Sequence, residues 1–336
     1  MPDQIFQPID VAALEKYVCQ NMPHIRGPIW VTQLGFDQSS PTYFVKDRVG
    51  NKLVMRKYPR TASGSKDTQR CEREYRVLCA LDSIEIPVPQ PHILCEDPRV
   101  LGTPFLVMES LDGRIFEDPT LPGVSPQERH LMWREIITAL AKIHAVDIDA
   151  MDLSDLGPRD SFYSRQTQIL KDTEHFQRSV VDTNTKNPVG KVPGIEEMLH
   201  FLSDRDYQPR DRACLIHGDF KISNIVFHET EPRIIGILNW KNATIGHPLS
   251  DIANLLQPWT IVQMSSSAAD QLSLPLRSAA STVGLPSISE CLGWYDSMVG
   301  WNPQKEMMWA DAFALFRMSV ARQGINACSA ARKDNG

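Results

Sequence analysis

The stretch LIHGDFKISNIV, residues 215–226, decides the fold. Leu215 and Ile216 make a short apolar run of the kind a buried strand needs, and Ile225 and Val226 make a second. The loop between them presents His217, Asp219, Lys221 and Asn224. Asp219 can accept the proton of an attacking hydroxyl. Asn224, five residues on, offers a neutral oxygen to a hard cation such as Mg²⁺. Lys221 can reach a transferring phosphoryl group. A polar turn that is merely rich in these residue types is the competing reading.

Outward from this loop, 126–146 carries Leu131, Ile136, Ile137, Leu140 and Ile143 at helical spacing and predicts an amphipathic helix. A third apolar run spans 234–238, and the pattern beyond Pro248 is mostly helical, ending in a long helix over 305–332. Upstream the texture differs. Trp30-Val31, Tyr43-Phe44-Val45 and Leu53-Val54-Met55 alternate with turn residues, Val49-Gly50-Asn51 among them, and predict an antiparallel meander. Helices are expected over 11–19 and 68–81, the latter through Tyr75, Leu78 and Cys79. The run 105–108 reads as a buried strand. The whole is an α+β chain with a small β-rich N-lobe over 1–108 and a large, mostly helical C-lobe over 109–336.

The bulk properties exclude several classes. A chain of 336 residues suggests about two domains at ~150 residues each. With 42% apolar and 23% charged residues it is neither disordered, collagen-like nor a coiled coil. The net charge of −6 supplies no basic excess for nucleic acid or an anionic membrane. Seven cysteines without a Cys-x-x-Cys pair argue against a zinc ribbon and a disulfide framework. Residues 1–10 are polar, and no run of eighteen apolar residues occurs, so a cytoplasmic location is expected.

The spacing of Asp219 and Asn224 is that of the catalytic Asp and metal-binding Asn in the kinase catalytic loop. Here the sequence resembles the aminoglycoside phosphotransferase-like family, which has a protein-kinase-like fold, and within it the hydroxyacyl-CoA kinase type of branch. The resemblance runs through QSSPTY (38–43), EREYRVL (72–78), VLGTPFLVME (100–109), GRIF (113–116), DPTLPG (118–123) and GHPLSDIANLLQPW (246–259). It implies ATP and Mg²⁺ as cofactors and a small-molecule substrate. It gives Arg56, with Lys57 as the alternative, the phosphate-facing role on its strand, and Glu74 the role of its ion-pair partner. Gln38 and Ser39 would belong to the phosphate-covering loop, and Met108 and Glu109 to the hinge that binds adenine. Asp219 would be the base and Lys221 a phosphate contact. Asn224 and Asn239 would hold the metal. Asp251 would brace the loop, and His217 would orient it or act as an acid–base group.

Three positions depart from the family pattern. An Asp-Trp-Glu segment is usual after the apolar run at 234–238, whereas this chain reads Asn239-Trp240-Lys241. Asp37 stands where a second glycine is usual. A carboxylate ~4 Å from a phosphate costs ~4 kcal/mol at an effective dielectric of ~20, and Asp37 could instead pair with Lys241 or Arg56. Two readings remain open: an ATP-dependent phosphotransferase acting on a hydroxyl with a degraded metal site, or a kinase-fold protein that has lost phosphoryl transfer. The second would be a binding protein or an enzyme of different chemistry in specialised metabolism. The acceptor pocket is expected from 157–200 and 258–310, where Trp259, Trp294, Trp301 and Trp309 lie. No long acidic patch suits a polycationic aminoglycoside, so a hydroxyacid, its thioester or a small apolar alcohol is expected.

Overall fold

The computed structural model describes residues 8–35, 40–58, 65–84, 86–263 and 283–331, with the backbone alone for 65–68 and 263. Asp37, Gln38 and Ser39 lie outside the described residues. The elements begin with α1 (Val11–Asn21), β1 (Trp30–Leu34), β2 (Thr42–Lys46), β3 (Lys52–Lys57), α2 (Ser65–Asp82) and β4 (Pro91–Cys95). They continue with α3 (Pro98–Leu101), β5 (Phe105–Glu109), β6 (Arg114–Ile115), α4 (Pro126–His144), α5 (Phe162–Arg178) and α6 (Ile195–Ser203). The last are β7 (Cys214–Ile216), β8 (Ile225–Phe227), β9 (Ile234–Ile237), β10 (Thr244–Gly246), α7 (Leu249–Gln263), α8 (Ile288–Val299) and α9 (Met307–Ala331). The chain is thus α+β, and it divides into two compact units.

The first unit comprises the described parts of Met1–Phe116, with Asp149–Leu153 and Ser223–Ala243. Its main sheet is antiparallel throughout, in the order β1-β2-β3-β5-β4. Strand alternation sorts the side chains. Tyr43, Val45, Leu53, Met55, Phe105 and Val107 turn to a core shared with Leu14 and Val18 of α1. Each such side chain contributes roughly 1.5–3 kcal/mol by leaving water. Helix α1 starts where it does because the Asp10 carboxylate accepts the Ala13 N–H at 2.9 Å. The β2–β3 turn needs Gly50 at φ 101°. Asp47 fixes it by accepting N–H bonds from Val49 at 3.0 Å, Asn51 at 2.8 Å and Arg26 at 2.9 Å. A smaller antiparallel sheet, β6-β8-β9, completes the unit. Gly113 leads into it because a Cβ there would sit 2.3 Å from the Phe227 carbonyl oxygen.

Two expected helix faces shift. On α2 the buried residues are Cys71, Glu74, Val77, Leu78 and Leu81, whereas Cys79 is exposed and Tyr75 half-buried. The helix turns toward β4, β5 and the turn Trp240–Asn242, which places a carboxylate on its buried stripe. On α4, Leu131 is 48% exposed. It lies five residues before Ile136, about 140° round the helix from the stripe of Trp133, Ile136, Ile137, Leu140 and Ile143.

The second unit comprises the described parts of Glu117–Ile148, Ser154–Ile222 and Thr244–Gly336. Its strand pair β7 with β10 is antiparallel and packs on α4. Helix α4 opens on Ser125, whose hydroxyl accepts the Glu128 N–H, with Pro126 in the first turn. Around this centre α9 packs on α7 and α5, and α8 packs on α4. Among the described residues no helix is long and apolar enough to cross a membrane.

Candidate functional site

The first unit holds a cavity of about 190 Å³. The face of the sheet opposite the α1 core supplies its walls, Thr42, Phe44, Val54, Arg56 and Met108, and Glu109 joins them where β5 ends. Val226, Leu238, Asn239 and Trp240 close it from the other sheet and its following turn. The same period-two alternation therefore makes both the core and the pocket. Met108 and Glu109 both reach the cavity, and the Glu109 N–H donates to the Gln90 carbonyl at 2.8 Å.

At the polar end of this cavity Arg56 forms an ion pair with Glu74, so of the two basic candidates on β3 it is Arg56 that pairs. Arg56 is 12% exposed in its side chain and Glu74 1%. The second Glu74 oxygen accepts the Tyr58 hydroxyl, and the Trp240 backbone N–H also bonds this carboxylate. Burial pushes the Glu74 carboxyl upward, opposed by Arg56 and then by Lys241. Lys241 is half-buried and close enough to act on that acid. Tyr58 and Trp240 escaped the sequence reading. Their signal was weak: one ends a strand, and the other is a tryptophan inside a motif read for its neighbours.

Asn239 and Asn224 also belong to the first unit. Asn239 adopts the left-handed region, φ 72° and ψ 50°, which Asn tolerates better than most residues. The Asn224 carbonyl accepts the Leu238 N–H at 2.7 Å, so the backbone beside each asparagine is tied to the other. A divalent cation draws its binding energy from charged oxygens, and this pair offers amide oxygens only. Among the described residues no three His, Cys, Asp or Glu side chains group as a metal site. Lys241, two residues past Asn239, brings an ammonium to this turn where a carboxylate would suit a cation.

The second unit carries the loop after β7. His217, Phe220 and Ile222 are buried while Asp219 and Lys221 turn outward. Gly218, at φ 81°, makes the bend. Asp251, fully buried on α7, accepts the His217 N–H at 2.6 Å and the Gly218 N–H at 2.9 Å on separate oxygens. Burial alone would raise its pKa, but His144, whose Nε2 lies 3.4 Å away, and His217 outweigh that and lower it. His144 is itself held by the Tyr295 hydroxyl at 2.8 Å. The His217 Nδ1 accepts the Asp219 N–H at 3.2 Å, an orienting contact. The Asn254 amide donates to the Phe220 carbonyl at 2.9 Å and accepts from Arg317 at 2.5 Å. On this pinned backbone the Asp219 carboxylate stands 3.1 Å from the Lys221 ammonium, with side-chain exposures of 26% and 47%. A base and a cation are thereby presented together. Asn254, Arg317 and His144 were missed, because their partners are distant in sequence.

Of the four tryptophans, Trp309 is buried against Tyr163 and Phe313. Trp259 packs edge-on against Trp133. Trp301 lies under the Arg212 guanidinium at 4.3 Å, and Trp294 meets His130. A second cavity, of about 280 Å³, lies among Val192, Ile195, Met198, Ile261, Leu315 and Phe316.

Residues 30–274 match the phosphotransferase enzyme family. The chain is 31% identical over 325 residues to acyl-CoA dehydrogenase family member 11 of Rattus norvegicus, covering 94% of this chain and 39% of that protein. It spans less than half the length of each acyl-CoA dehydrogenase relative it matches. A solved structure of a putative aminoglycoside phosphotransferase from Ralstonia eutropha superposes with a TM-score of 0.76 at 29% identity, over 95% of this chain and 89% of that one. An ADP-bound aminoglycoside phosphotransferase, APH(2'')-Ib, shares the fold at a TM-score of 0.58 and 16% identity, over 97% of this chain and 93% of that one.

Proposed function

From its membership of the phosphotransferase enzyme family, with the kinase-like fold of those enzymes, we propose that this chain is a nucleotide-using phosphotransferase acting on the hydroxyl of a small molecule. ATP occupies the cavity of the first unit, its base between Val54, Val226 and the Met108–Glu109 backbone, its phosphates toward Arg56. Asp219 takes the proton of the acceptor hydroxyl as that oxygen bonds to phosphorus and the bond to the leaving nucleoside diphosphate breaks. Lys221, beside it, balances charge on the transferring group. The observation that carries this reading is the outward Asp219–Lys221 pair on a loop whose backbone is held at His217, Gly218 and Phe220.

The apolar cavity of the second unit favours an acceptor with an apolar body, such as a hydroxyacid, its thioester or a small alcohol, over a polycation. The seven cysteines stand as free thiols, which suits a cytoplasmic setting. A panel of such acceptors incubated with ATP and assayed for ADP formation tests the proposal. Acceptor-dependent ADP that disappears in Asp219→Asn supports it, and its absence across the panel contradicts it. Asn239 and Lys241 favour a second reading, in which the same cavity binds nucleotide without transfer. Nucleotide binding with no turnover on any acceptor would support that alternative.

A further inference from the structure

We propose that the cavity of the first unit takes a nucleoside di- or triphosphate in its metal-free form, with Lys241 and Asn239 supplying directly the contacts a divalent cation would otherwise mediate. This inference rests on the nucleotide reading above and deepens it. Arg56 and Asn239 line one cavity, and α2 packs against the turn that carries Lys241. Relative to the Asp-Trp-Glu segment that the resemblance leads one to expect, Asn239 removes one negative charge, and Lys241 replaces a negative by a positive charge. The turn is therefore three units more positive than one built to hold Mg²⁺.

That change acts on ligand and cation in opposite senses. A divalent cation loses its charged ligand and meets an ammonium, both unfavourable. A polyphosphate gains an ammonium, and an Asn amide can donate to phosphate oxygens, which an ionised Asp cannot. Arg56 cannot supply the same service alone, because Glu74 already neutralises it. The buried Glu74 carboxylate, held by Arg56, Tyr58 and the Trp240 N–H, fixes the turn that carries Asn239 and Lys241. The arrangement is pre-set before any ligand arrives, which lowers the ordering cost of binding.

Calorimetric titration of the whole chain with ATP, once in EDTA and once in excess MgCl₂, tests this. Binding in EDTA at least as tight as in MgCl₂ is expected. Lys241→Glu should weaken the EDTA titration by about tenfold or more, and Asn239→Asp combined with Lys241→Glu should make binding require Mg²⁺. Binding by the wild type only with Mg²⁺ would overturn the inference while leaving the nucleotide reading intact. No binding in either buffer would overturn both. Unliganded melting temperatures check that each variant folds, and if one does not, the wild-type comparison decides alone.

Discussion

The Asp251 carboxylate accepts the His217 N–H at 2.6 Å and, through its other oxygen, the Gly218 N–H at 2.9 Å. One buried side chain thereby sets the bend that aims Asp219. Asp251→Asn keeps the shape but turns one acceptor into a donor facing an N–H. Such a mismatch in a buried site costs roughly 2–4 kcal/mol. Urea denaturation should show that loss, and a change below ~0.5 kcal/mol would mean the loop is held some other way.

Asp219 should behave in the opposite manner. Its carboxylate is 26% exposed and sits beside a half-exposed Lys221, a pair worth ~0–1 kcal/mol. Asp219→Asn is expected to change stability by less than ~1 kcal/mol while lowering turnover ~10²–10⁴-fold. Equal losses in stability and turnover would make it a structural residue.

Tyr58 donates its hydroxyl to Glu74 in the interior of the first unit. Tyr58→Phe leaves one oxygen of a buried carboxylate without that donor, at a cost of about 1–3 kcal/mol. The melting temperature should fall accordingly. A Glu74→Gln background should shrink the effect, since the double-mutant coupling isolates the contact.

Asp47 gives a pH signature. Burial works against its charge, but N–H bonds from Arg26, Asn51 and Val49 win and lower its pKa from 3.8 to about 2. A depressed acid stabilises the fold above its unfolded pKa and loses that contribution as pH falls through the folded value. Asp47→Asn should therefore melt below wild type at neutral pH, with the gap closing between about pH 4 and about 2. A gap that stays constant over that range would assign the effect to shape rather than charge.

Much of this molecule was legible in its sequence where periodicity or spacing carries the information. The β2–β3 meander, the long helix α4 and the loop from His217 to Asn224 all announce themselves within a dozen residues. Glu74 was legible as a pair partner but not as a buried one. Only its place between Cys71 and Val77–Leu78, in the stripe that faces β4 and β5, shows that it is inside. The links Asn254 to Phe220 and Arg317 to Asn254 were not legible, because each joins residues more than thirty apart whose types are ordinary on helix surfaces. Lys241 is legible as a departure in charge beside Asn239, whereas the packing of its turn on α2, which brings it toward Glu74, is not.

The claim that a nucleotide occupies the first unit is tested most directly by hydrogen–deuterium exchange of the chain with and without ATP. Protection is expected in peptides covering β3, the end of β5 with Ser110 and Leu111, and the turn at Asn239–Lys241. Protection absent from all three, at ATP concentrations that saturate any heat signal, would contradict it.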